Sequence, residues 1–102
     1  MQDRTEVIQK VQSLLDTQSA DDIIIPVLDR LAVLGGMSKA SFGQMLQPKG
    51  PKKVWEPHIE KAVTLGILVY HNRLVHTHSG RLVPATWYTA APQYQYEPLW
   101  AD

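Results

Sequence analysis

Residues 54–83 constrain this chain more than any other stretch, because they carry a helical pattern, a stop and two strand-like runs in immediate succession. Trp55, Ile59, Ala62, Val63 and Gly66 recur at spacings of four, three, one and three, which puts them on one face of a helix. Gly66 stops that helix, since a glycine just past the last periodic residue can take the left-handed conformation. Ile67, Leu68, Val69 and Tyr70 follow, β-branched and aromatic, and predict a strand. Asn72-Arg73 then reads as a two-residue turn into a second strand through Leu74, Val75, His76 and Thr77. Residues 77–84 admit two readings. One is a third strand with His78-Ser79-Gly80 as its turn; the other is a short helix capped by Thr77 and ended by Pro84.

The remainder is mostly helical. Residues 5–16 place Val7, Ile8, Val11, Leu14 and Leu15 on one stripe. A second helix, started near Ser19 with Asp21 and Asp22 at its positive end, runs to Leu34 and stops at Gly35-Gly36. Pro26 lies too deep for a first-turn proline unless that helix begins near Ile25, so this boundary stays open. Residues 38–46 form a short third helix with Ser38 or Ser41 as cap and Phe42, Met45 and Leu46 inward. Two prolines and a glycine in residues 47–53 predict a loop bearing Lys49, Lys52 and Lys53. Glu56-Pro57 marks a further boundary, with Pro57 suited to the first helical position.

A chain of 102 residues fits one domain. Without cysteine it has neither disulfides nor a thiolate metal site. No signal peptide or membrane-length apolar run is read, so a cytoplasmic protein away from membranes is expected. Charge is unevenly spread although it sums to zero. Residues 1–36 hold three basic and six acidic side chains, and residues 37–84 hold seven basic and two acidic. The basic excess falls on the helix and the strands that follow it, where a nucleic-acid footprint would lie.

The order helix, helix, short helix, basic turn, helix, hairpin resembles the winged helix-turn-helix superfamily. Its most specific piece is residues 66–81, where a Gly-Ile-Leu-Val strand is followed by a second strand and a Val-His-Thr-His-Ser-Gly-Arg restart. The loop at residues 47–53 is longer and more proline-rich than the usual turn. The resemblance covers roughly residues 20–84 and implies a mainly α fold with a small β-hairpin, an α+β winged-helix domain over residues 1–84 with N-terminal helices. Residues 85–102 remain as an extended aromatic tail. It further implies a non-enzymatic regulator of transcription that binds double-stranded DNA. The recognition helix would span residues 57–65, with Glu56, His58, Glu60, Lys61 and Thr64 outward. Lys49, Lys52 and Lys53 would hold phosphates, and Arg73 would sit at the wing tip. A homodimer is expected, joined through the N-terminal helix or the tail.

A second reading makes the protein an adaptor or inhibitor, of the kind phages and mobile elements encode, gripping a protein or nucleoprotein complex. The zero net charge and the tail aromatics Tyr94, Tyr96 and Trp100, spaced by polar residues and prolines, favour it as partner-binding groups. His71, His76 and His78 lack the acidic or thiolate neighbours that would complete a metal shell. No glycine-rich phosphate loop or paired carboxylates point to catalysis, so no cofactor and no enzyme activity are expected.

Overall fold

The computed structural model describes residues 2–98 as four α-helices and a three-stranded antiparallel sheet, an α+β architecture. The helices are α1 (Arg4–Leu14), α2 (Gln18–Leu34), α3 (Lys39–Leu46) and α4 (Lys52–Thr64). The strands are β1 (Met37–Ser38), β2 (Leu68–His76) and β3 (Leu82–Ala90), in the spatial order β1-β3-β2. Three polar side chains start three of the helices. Asp3 accepts from the Thr5 N–H, Thr17 from Ala20 and Ser38 from Ser41, each satisfying an otherwise orphan donor.

One apolar cluster holds the layers together. Val7 and Val11 of α1, Ile24, Val27 and Leu28 of α2, Phe42 and Leu46 of α3, Ile59 and Ala62 of α4, and Ile67 and Leu68 at the start of β2 are all but inaccessible. The stripes predicted for α1 and α4 are therefore largely buried, and α2 turns Ile23, Ile24, Val27, Leu28 and Leu31 inward, whereas Leu34, expected on the same stripe, is 57% exposed. Gly66 does end α4, at φ +79°, with the Gly66 N–H on the Val63 carbonyl (3.1 Å) and the Ile67 N–H on the Ala62 carbonyl (2.9 Å). That pair of bonds satisfies two of the helix's last carbonyls and turns the chain directly into β2.

Several boundaries differ from the sequence reading. α2 begins at Gln18 with Pro26 inside it, and α4 begins at Lys52, not Pro57, with Pro57 inside it. Each proline removes one helical hydrogen bond, freeing the carbonyl four residues back. Those carbonyls belong to Asp22 and Lys53, both exposed, so water can satisfy them. The expected loop at residues 47–53 is shorter: Gln47–Lys49 form a 3-10 turn, and only Gly50 and Pro51 separate it from α4. Asn72-Arg73 is no turn. β2 runs straight through it, Asn72 opposite Thr86 and Arg73 opposite Ala85. The turn lies at residues 77–81, closed by Gly80 at φ +80° and by the Thr77 N–H on the Arg81 carbonyl (2.9 Å). Of the two readings for residues 77–84, the strand is the one that forms. β3 also runs across the expected domain edge at residues 84 and 85, so that edge falls inside a strand.

Beyond β3 the chain turns through Pro92–Tyr94 and lies along the N-terminus, where Tyr96 bridges Gln2. Among the described residues no helix is long and apolar enough to cross a membrane.

Candidate nucleic-acid interface

α3 and α4 follow one another across the Gln47–Lys49 turn, and lysines gather around that turn. Ser38 caps α3 (Ser41 N–H to Ser38 Oγ, 3.2 Å), and Phe42 and Leu46 anchor its inner face. Gly50 then takes φ +128°, a conformation costly to any residue with a Cβ, and packs against Val54. This brings Pro51 to the position before α4. Pro51 has no side chain able to cap, so the first N–H groups of α4, at Lys52 and Lys53, gain no side-chain partner. A helix start of this kind carries partial positive charge.

Around it stand Lys39, Lys49, Lys52 and Lys53. Glu56 lies between Lys39 and Lys52, its Oε2 paired with both ammonium groups, at 3.4 Å from Lys52 Nζ. The hydrogen bond from Lys39, then that from Lys52, holds the Glu56 carboxyl below its usual range, and the Glu56 bond in turn raises Lys39. Of the two acids on α4, Glu56 is thereby screened by two lysines, while Glu60 stays exposed. An open cleft of about 520 Å³ runs between α3 and α4 beside this cluster, with Gly43 and Trp55 on its apolar side and Lys39, Gln47 and Lys52 at its rim.

At 100° per residue, the face of α4 opposite buried Trp55, Ile59 and Ala62 carries Lys53, Pro57, Glu60 and Thr64, all exposed. Lys52 and Glu56 lie on one flank of that face. His58, half-buried, and Lys61 lie on the other, where Lys61 Nζ reaches Asp16 Oδ2 at 3.1 Å. Lys61 is therefore drawn toward the link between α1 and α2. Thr64 Oγ1 donates to the Glu60 carbonyl at 3.1 Å.

Arg73 is not at the tip of the hairpin. It sits mid-strand in β2 with its guanidinium carbon 4.1 Å from the Trp87 ring centroid, and His71 stacks on the same ring at 5.7 Å. His71 Nε2 also pairs with Thr89 Oγ1 at 2.9 Å. The tip instead presents His78 and Arg81. The sequence reading missed Arg81 because it put the turn at Asn72, although Gly80 was the available signal. It missed Lys39 as well, whose place directly after the Ser38 cap puts it in the first turn of α3.

The aromatic tail is bound to the chain itself. Tyr96 is 3% exposed, so the expected partner contact is a core residue. Its hydroxyl donates to Asp29 Oδ1 at 2.6 Å, and Arg4 grips the same carboxylate through Nε (2.8 Å) and Nη2 (2.9 Å). Burial pushes the Asp29 carboxyl up, but the bonds from Arg4 and Tyr96 outweigh it and leave the group below its usual value. Burial, then the bond to Asp29, raises Tyr96. Tyr94 is half-buried against the same cluster, and Trp100 lies outside the described residues.

His76 closes the end of β2, its Nδ1 3.3 Å from the Gly80 carbonyl, while His78 belongs to the turn. Among the described residues no group of three or more His, Asp or Glu side chains gathers where it could hold a metal ion. Comparisons with family models, with curated proteins and with solved structures give no match to this chain.

Proposed function

We propose that this protein is a small winged-helix DNA-binding protein, in which α2, β1, α3, α4 and the β2–β3 hairpin make up the winged-helix unit and α4 is the helix offered to the major groove. The observation that carries the reading is the group of Lys39, Lys49, Lys52 and Lys53 near the uncapped start of α4, with Glu56 held between two of those lysines and Glu60 one turn further along. Lysines and helix N-termini fix a protein on a duplex through phosphates, and the outward residues of the inserted helix read bases. Lys53, Glu60 and Thr64 are the residues in position to do so, with His58 and Lys61 at the margin. Arg81 and His78, at the end of a hairpin that carries no acid, would reach a neighbouring phosphate or the minor groove. A regulator of transcription is the ordinary use of such a reader.

The competing reading, an adaptor or inhibitor that grips a protein, draws on Leu74 and Leu82, which are 62% and 54% exposed on the hairpin. Fluorescence anisotropy of a labelled mixed-sequence duplex separates the two. Replacing Lys49, Lys52 and Lys53 together by Ala removes three candidate phosphate contacts, which should flatten the slope of log affinity against log salt by about 2.7. All three side chains are exposed, so folding should change little. Equal affinity and equal slope in the two proteins would reject DNA binding at this site and leave the protein-gripping reading.

A further inference from the structure

β2 is an edge strand: β3 pairs with one side of it, and among the described residues no strand pairs with the other. Nine residues of strand edge are thus left with main-chain groups unmatched by a neighbour, a template for another strand. Natural edges are usually protected by a charge held along them, a proline or a bulge. None protects β2. Its register with β3 is continuous from Leu68 to His76, and it contains no proline and no carboxylate. Its one arginine, Arg73, is folded onto Trp87 of the neighbouring strand, and His71 is stacked on the same ring, so neither side chain stands guard along the free side.

Residues 69–75 of that strand match one another about Asn72, although Leu68 and His76 beyond them do not. Val69 mirrors Val75, Tyr70 mirrors Leu74, and His71 mirrors Arg73. A two-fold pairing centred on Asn72 sets each of these residues opposite its match, and the apolar pairs among them make that edge compatible with itself. We infer that two copies of this chain pair through β2, antiparallel and centred on Asn72, to make one six-stranded sheet. In that register Tyr70 of each copy lies opposite Leu74 of its partner on one face, and Val69 lies opposite Val75 on the other. Tyr70 and Leu74 are 47% and 62% exposed in the single chain, and Val69 is 37% exposed, so the pairing covers apolar surface that one copy leaves in water. The two Asn72 side chains meet on the axis and can exchange amide hydrogen bonds. His71 meets Arg73 of the partner, and both stay on their Trp87 rings. Two strand edges of nine residues bury on the order of 1,000 Å² in total, at the lower end of what a specific interface needs. The expectation is therefore a dimer of moderate affinity. It stands apart from the DNA-binding reading, since α4 and its lysines take no part in it.

Sedimentation equilibrium of the full chain at up to about 100 µM, which populates a dimer of even micromolar affinity, should give twice the 11.5 kDa of one chain. Asn72→Lys and Asn72→Asp each put like charges opposite one another on the axis and should sediment as single chains. An equal mixture of the two variants should return to the dimer mass, because the introduced ammonium then faces the introduced carboxylate. Asn72→Cys gives an independent readout in a chain with no other cysteine: mild oxidation should link two copies at residue 72. A wild-type protein that stays at 11.5 kDa overturns the proposal, as does a dimer that both charge variants leave intact. Absence of the disulfide in the Asn72→Cys protein overturns the register.

Discussion

Asp29 shows how a single side chain ties the two ends of this chain together. Its carboxylate takes two bonds from Arg4 and one from the Tyr96 hydroxyl, so α1, α2 and the last described segment meet at one charge. Tyr96→Phe deletes one charge-assisted bond and should cost about 1.5 kcal/mol in urea denaturation. The pH dependence has a definite sign. A carboxyl held below its usual value in the folded state stabilises the fold above the unfolded value, near pH 4, and that contribution fades as pH falls through the lower folded value. Stability should therefore drop on acidification below about pH 4, and Asp29→Asn should remove part of that drop while lowering stability at neutral pH. None of this was legible in the sequence. Tyr94 and Tyr96 alternate as residues on an outer surface would, and nothing local to them names a carboxylate 67 positions away as the partner.

The elements were legible where a local rule and the core agreed, and misread where they did not. Gly66 was read correctly because both demands meet there: apolar periodicity ends and only a left-handed residue can close the helix. A Cβ added at Gly66 would meet nothing within 4 Å, so Gly66→Ala pays the backbone term alone, about 1 kcal/mol, readable as a shift of the denaturation midpoint. The start of α4 was open between Trp55, which heads the apolar stripe, and Pro57, which obeys a local preference for first positions; burial of Trp55 at 4% exposure draws the preceding turn into the helix. The same competition explains the hairpin. Asn72 favours turns in isolation, yet cross-strand pairing on both sides of it continues the ladder, and Gly80 supplies the positive φ that the turn needs. The candidate site suffered in proportion. Lys49, Lys52 and Lys53 were found from composition alone, while Lys39 and Arg81 depended on boundaries that had been drawn elsewhere.

At the scale of the whole molecule, zero net charge conceals a separation: the chain is acidic through α1 and α2 and basic from β1 to the hairpin. Polarity of this kind lets a neutral protein present one cationic side, the requirement for holding a polyanion with a defined orientation. On the function proposed above, this side, and α4 above all, meets DNA. A ¹⁵N-resolved NMR titration of the protein with a mixed-sequence duplex at low salt tests it residue by residue. Amide shifts should concentrate at residues 39, 49–53, 57–64 and 76–81 and shrink as salt is raised. Shifts confined to α1, α2 and the segment around Tyr96, or no shifts at all at low salt, would contradict it.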